Sequence, residues 1–352
     1  MTNALDPHPL VWESRVRGCL LGLALGESLA FQPTELSEPS EPSGLIQAGP
    51  ATQLAAFTVE GVVRAAVRSL QQGSCHPPSV VWAAYCRWGQ LQGLLPEDAA
   101  ELDGWLVTVP TLRERRGAAE ATVTAIQDTG PGTRDAPTTG SMDWQALVRG
   151  LPFAALSGQA HWSDVLMATE CAALTHGHPR AWSTAAAGVR LLNNVLAART
   201  GREDLPAVIT EALPGLDEEL AAGLRTALWA AGTRPGERDV LYSLASNDSA
   251  ASVLMGGVYA ATSFPGREGI YQAMRFAATA PEAHGVSAMT GAVIGSLHGV
   301  EIWPAGVLAR HELVWVLDTL ARDLVRQLTA NPGGSAKAAP HDPRWNERYP
   351  GW

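Results

Sequence analysis

Two runs of glycine at four-residue spacing constrain this chain more than any other feature. Gly18, Gly22 and Gly26 form one, within "RVRGCLLGLALGESLA". Gly291, Gly295 and Gly299 form the other, within "MTGAVIGSLHGVEIWP". Positions i, i+4 and i+8 share one face of an α-helix. Each glycine inside a helix costs up to about 1 kcal/mol relative to alanine, so a bare stripe that occurs twice asks for a physical reason. Close approach of another backbone supplies one, because a side chain would fill that space. Both helices are therefore predicted at the packed centre of one domain. The alternative is incidental glycine in a sequence rich in alanine and glycine.

Composition supports a helical core. The chain has 352 residues, 46% of them hydrophobic, enough for a sizeable core and too many for wholesale disorder. Alanine and leucine dominate the aliphatic share, and extended Val/Ile/Thr runs are scarce, which favours an all-α fold. A formal net charge of −10, with no basic run, argues against a nucleic-acid surface. Cys19, Cys75, Cys86 and Cys171 show no CxxC pair and read as small hydrophobes in a reducing compartment. The N-terminus lacks a basic segment followed by an apolar one, and "GCLLGLALG" stops at Glu27, too short to span a bilayer. A cytoplasmic protein without a membrane partner is the expectation.

Helical patterns recur over 13–30, 52–71, 79–92, 117–127, 145–157, 163–174, 180–198, 204–212, 216–231, 248–263, 267–279, 287–298 and 311–330, separated by Gly, Pro, Asn and Asp. Residues 32–51 and 128–142 read as loops. The helical domain is placed at 11–330. The Gly/Ala/Pro-rich tail, 331–352, ends in "RWNERYPGW", with poor order expected over 332–340.

The first glycine run, "RVRGCLLGLALGESLA", strongly resembles the opening of the ADP-ribosylglycohydrolases. The likeness continues in order through "TQLAAFTVEGVVRA", "ECAALTHGHPRA" and "MTGAVIGSLHGVEIWP" to the final "ERYPGW". It implies a single compact multi-helix domain that binds two divalent metals, usually magnesium, and hydrolyses the bond between ADP-ribose and an acceptor.

The implied metal positions depart from that pattern. Where members carry Thr/Ser-Asp-Asp-Thr-Gln, this chain has Gly49, Pro50 and Ala51 before the matching Thr52 and Gln53. Where members carry Gly-Asp-Ser/Thr-Asp-Thr, it reads Gly285, Val286, Ser287, Ala288 and Met289. Gly49, Pro50, Ala51, Val286, Ala288 and Met289 are therefore taken as lost ligand positions. Magnesium needs a near-octahedral set of oxygen ligands, which these side chains do not offer. No Asp-Asp or Asp-x-Asp pair occurs elsewhere to replace them. The expectation is no bound magnesium and an apolar repacked pocket, with Val286, Met289 and Pro50 together and Trp144 at its mouth.

The remaining candidates each have a plain structural reading beside the functional one. Asp143, Trp144 and Gln145 replace the family's Gly-Asn-Gly substrate loop, while Arg149 and Pro152 match it. Trp144 would obstruct a sugar pocket or stack on a base. Glu27, where many members have aspartate, is the one weak acid–base candidate, set against a capping or hydrogen-bonding role. His284, Gly285, Ser287, Thr52 and Arg149 complete the vestigial pocket, with His284 as pocket lining or cap. Ser287 has no His–Asp partnership in sequence. His176 and His178 suggest a metal pair but precede Pro179 at a helix junction. Asn247 and Asp248 read as a helix N-cap; Glu35 sits near a family glutamate. Three functions stay open: a pseudo-hydrolase acting as scaffold or regulator on a protein or ADP-ribosylated protein, a non-hydrolysing binder of ADP-ribose or a related nucleotide, and a metal-independent hydrolase using Glu27 and a histidine.

Overall fold

The computed structural model describes residues 9–30, 44–127, 130–156, 162–198, 204–264 and 266–351. Glu35 lies outside them. Prolines at first turns and glycines at ends set the elements: Pro50, Pro77 and Pro179 open helices, and Gly73, at φ 77°, closes one. The helices are α1 (Pro9–Leu29), α2 (Pro50–Gln72), α3 (Pro77–Leu91), α4 (Glu120–Gln127), α5 (Gln145–Gly150), α6 (Asp164–Ala173), α7 (Pro179–Ala197) and α8 (Leu205–Thr210). The second half adds α9 (Glu218–Thr233), α10 (Arg238–Leu244), α11 (Ala250–Ser263), α12 (Ile270–Ala277), α13 (Ala283–His298), α14 (Ala305–Leu308), α15 (Val314–Ala330) and α16 (Trp345–Arg348). Among the described residues there is no β-strand, only three isolated bridges. The fold is all-α.

The glycine stripes meet each other. A Cβ on Gly18 would strike the Gly295 carbonyl, one on Gly22 the Gly291 carbonyl, and one on Gly26 the Ser287 carbonyl. As the α1 number rises by four the α13 number falls by four, so the two helices run antiparallel with their backbones in contact. Gly299 continues this stripe: its carbonyl carbon would lie 2.6 Å from a Cβ on Gly18. At φ 82° it ends α13 and faces Ser14, one turn before Gly18 on α1, and Glu301. The Trp303 indole N–H donates to the Gly18 carbonyl (3.1 Å) and closes that end. Around this central pair, α2 and α15 pack beside α1, while α11, α12 and α7 pack beside α13.

Several boundaries differ from the sequence expectation for identifiable reasons. The 145–157 run splits after α5 into a tighter turn over Leu151–Leu156, because Pro152 has no N–H to continue the α-ladder. α13 begins at Ala283, ahead of the expected 287, with the Glu282 carboxylate accepting from the Gly285 amide. Ser249, rather than Asn247 or Asp248, caps α11: its hydroxyl accepts from the Ser252 amide, while Asn247 Oδ1 accepts from the Ser249 amide. α10, α14 and α16, absent from the expected helices, are too short to carry a periodic pattern. Residues 332–340 also differ from expectation. They form turns, with Ser335 bridged to Ala338 and the Ala336 amide donating to the Leu70 carbonyl at 3.0 Å. Beyond them Trp345 and Tyr349 enter the main core; the indole donates to Gln327 Oε1 (2.7 Å) and the phenol to Asp323 Oδ2 (2.6 Å).

Candidate functional site

The N-terminus of α2 is closed by the side chain of Glu27. A helix start leaves backbone donors unpaired, and they need acceptors when buried. Here Pro50 has no N–H, and the Gln53 amide reaches the Gly49 carbonyl at 3.2 Å. The two donors left are Ala51 and Thr52. Ala51 donates to Glu27 Oε1 (3.0 Å) and Thr52 to Oε2 (2.7 Å). Both carboxylate oxygens are thus engaged by one helix end, whose dipole favours the negative charge. Glu27 is 1% exposed. Burial raises its pKa, opposed by Thr52, the Ala51 amide and His284.

Gly49 makes room for this cap. It sits in extended backbone (φ −85°, ψ 175°), and its own side chain offers no cap bond. A Cβ there would collide with the Glu27 carboxyl group. The Gly-Pro-Ala start is therefore matched residue by residue to an acid arriving from α1: glycine for space, proline to remove a donor, and two amides to hold the carboxylate.

His284 comes to the same place from α13. Its Nδ1 donates to the Glu27 carbonyl (3.0 Å), which fixes that proton on Nδ1. Gly285 lies under the Trp144 indole, with an added Cβ 2.7 Å from ring atom Cδ2. The hydroxyls of Thr52 and Ser287 are buried without a hydrogen-bond partner among the described residues. Glu27, Thr52, His284, Gly285 and Trp144 thus gather around the ends of α1, α2 and α13. Trp144 is 8% exposed and packs as core, not at a mouth as expected.

Val286 and Met289 correct the expected repacking. Val286 lies against Gly256 and Met289 against Gly257, both on α11, whereas the Pro50 ring lies over Gly117. The three do not form one plug, because α13 turns 286 and 289 toward α11 and turns 284, 287–288 and 291 toward α1. Ala288 meets Gly26 through its Cα.

Arg149 belongs to a separate buried relay. Its guanidinium donates to Thr122 Oγ1 (2.6 Å), the Cys171 carbonyl (3.3 Å) and Thr175 Oγ1, and lies over the Tyr85 ring with 4.5 Å to the centroid. Thr175 Oγ1 donates a hydrogen bond to His176 Nδ1 (2.7 Å), and His176 Nε2–H donates to Asp143 Oδ1 (2.9 Å). Burial lowers the His176 pKa, against the opposing pull of its Asp143 partner. Burial works against the Asp143 carboxylate, but His176, the Gln145 amide and Ser141 outweigh it and hold its pKa at about 2. His178 instead caps α7, accepting from the Arg180 amide (3.1 Å). Neither histidine is placed to ligate a metal with the other. All four cysteines are free, Cys19 and Cys171 buried and Cys75 and Cys86 partly so.

The donor set at the α2 start does not fit magnesium. Two carboxylates stand there: Glu27, with both oxygens accepting from α2 amides, and Glu312, which accepts from the Ala48 amide (2.9 Å) and pairs with Arg116 (2.8 Å). His284 gives its Nδ1–H to a backbone carbonyl, and its other ring donor is a nitrogen rather than the oxygen magnesium takes. Among the described residues no group of three or more His, Cys, Asp or Glu side chains is placed to hold a metal ion. The sequence profile of the ADP-ribosylglycohydrolase family matches residues 9–333. The chain belongs to that family. A solved "ADP-ribosylglycohydrolase-related protein complex" is similar in fold, with a TM-score of 0.59 at 21% identity over 90% of this chain and 99% of that one. A search of curated protein sequences finds no match. Among the described residues no helix is long and apolar enough to cross a membrane.

Proposed function

We propose that this family member does not hydrolyse ADP-ribosyl bonds by two-metal chemistry and acts as a scaffold or regulator through contact with a protein, modified or not. The observation that carries the reading is the Glu27 cap. The Glu27 carboxylate and the first amides of α2 engage each other, and the hydroxyls of Thr52 and Ser287 beside them fall far short of the carboxylate-rich oxygen set that two magnesium ions need. A metal-independent hydrolase built on Glu27 is poorly served, since a general acid or base must reach its substrate and this carboxylate is buried with both oxygens engaged. Recognition of a nucleotide phosphate by the α2 N-terminus is opposed for the same reason. The four free thiols suit the reducing, cytoplasmic setting we propose.

The test is release of ADP-ribose from an ADP-ribosyl-arginine peptide, with chelator and with excess magnesium, beside calorimetric titration of magnesium alone. No release and no heat in either condition is expected. Magnesium-dependent turnover would overturn the proposal, and metal-independent turnover would return Glu27 and His284 to consideration as catalytic groups.

A further inference from the structure

At the far end of α2 from Glu27, a cavity of about 530 Å³ opens between the last turns of that helix and the start of α3. Arg64, Arg68 and Arg87 line it with Cys75, His76 and Ser79, and no acidic residue lines it. This concentration of positive charge occurs on a chain of net charge −10.

The three guanidiniums are not equally occupied. Arg64 is clamped on every nitrogen: Nε to the Pro350 carbonyl (2.9 Å), Nη1 to Glu60 (2.9 Å) and Asp103 (2.8 Å), Nη2 to Asp103 (2.8 Å). Arg87 is 5% exposed and gives Nη2 to Glu60 (2.7 Å), while its Nε has no acceptor among the described residues. Arg68 is half-buried and has no carboxylate partner among the described residues. Two carboxylates, Glu60 and Asp103, therefore answer three arginines, and the uncompensated charge lies on the cavity side. A buried guanidinium with an unused N–H is costly unless something accepts from it.

The neighbouring backbone adds to the same field. α3 is 15 residues long and begins His76-Pro77-Pro78, with no side-chain cap bond. Its first N–H, that of Ser79, turns back to the His76 carbonyl (3.1 Å). The positive end of the helix thus faces the cavity without an acid beside it. Ser79 Oγ, paired with His76 Nδ1 at 2.8 Å, supplies a hydroxyl that can reorient toward an acceptor.

We propose that this cavity binds the phosphate group of a small phosphorylated molecule, with Arg68 and Arg87 as the binding cations and Arg64 as their fixed support. Planar guanidiniums match phosphate oxygens in pairs, and the volume falls in the range of small-molecule pockets, about 300–1,000 Å³. This site stands apart from the α2 N-terminus and does not depend on the function proposed for it.

Inorganic phosphate and AMP, each titrated by calorimetry against matched chloride, are the probes. Both should bind, AMP more tightly because the cavity exceeds one phosphate. Arg68→Ala, at a half-buried position whose loss leaves no carboxylate unpaired, should weaken both about tenfold or more, and Arg68→Lys should recover part of it. His284→Ala, at the other end of α2, should leave binding unchanged. Absence of phosphate binding beyond the chloride control, or equal binding by Arg68→Ala with parental circular dichroism, would overturn the site. AMP binding no tighter than phosphate would overturn the small-molecule assignment.

Discussion

Glu27 and Gly49 form a mutually dependent pair, and a double-mutant cycle measures that dependence. Glu27→Ala leaves the Ala51 and Thr52 amides buried without acceptors, at about 1–3 kcal/mol each. Relief from burying a carboxylate offsets part of this, so a net loss of about 3 kcal/mol is expected. Gly49→Ala is allowed by its backbone angles, but its methyl would meet a carboxyl group held by two hydrogen bonds. Overpacking of that kind costs about 1–3 kcal/mol. Once Glu27 is truncated the collision is gone, and Gly49→Ala should then cost only a few tenths of a kcal/mol. The cycle should show a coupling of about 2 kcal/mol, read from urea denaturation of the four proteins. Additivity within about 0.5 kcal/mol would refute the cap. Titration gives an independent sign. Because burial raises the Glu27 pKa above 4.5, the native state holds this proton longer than the unfolded chain. The parent should therefore lose stability as pH rises from 4.5 through the native pKa, and Glu27→Ala should lack that segment.

Three further outcomes follow from the packing. Gly291→Ala drives a methyl into the Gly22 carbonyl and should cost about 3 kcal/mol, whereas Gly232→Ala, on exposed α9 with open space around it, should stabilise by up to about 1 kcal/mol in thermal melts. Val286→Asp places a carboxylate against Gly256 of α11, so a loss of about 3 kcal/mol or more is expected, without recovery by magnesium; a magnesium-dependent rise in Tm would show that 286 faces a metal site after all. His311 accepts the Leu313 amide on Nδ1 and turns Nε2–H to Ser28, and burial lowers its pKa from 6.5 to about 4. Its contribution is full above pH 6.5 and falls away toward pH 4, by roughly 3 kcal/mol, and His311→Gln should flatten that slope in denaturation curves.

The sequence made the helices legible because Ala/Leu periodicity and Pro/Gly punctuation are local signals. It made the glycine stripes legible as sites of close approach, yet not that they pack on each other, since pairing is a tertiary fact. Gly285 shows the limit clearly. The helix expected from 287 starts at Ala283 and runs through Gly285, whose missing side chain is what admits the Trp144 ring. Val286 and Met289 show the same limit: which neighbour a helical side chain meets is set by the face it occupies. On a helix, a difference of one or two positions moves a side chain from the α1 face to the α11 face. The stripe that meets α1 at Ser287, Gly291 and Gly295 fixes the register, and one turn earlier on that face stands His284.

The acid at position 27 connects the altered α2 start to the rest of the site. Where the resemblance places an aspartate, this chain has a side chain longer by one methylene. That length lets a carboxylate based on α1 span the gap to two amides of α2, and Gly49 vacates the space it occupies. Pro50 removes the one first-turn donor the carboxylate could not also have served. These changes are interdependent. An acid at 50 or 51 beside a buried Glu27 would put like charges together without a cation between them, and a β-carbon at 49 would push Glu27 off the helix. The Gly49-Pro50-Ala51 start and the Glu27 cap are thus one structural arrangement, which is why an acid introduced at 50 or 51 should destabilise the fold, as read from urea denaturation.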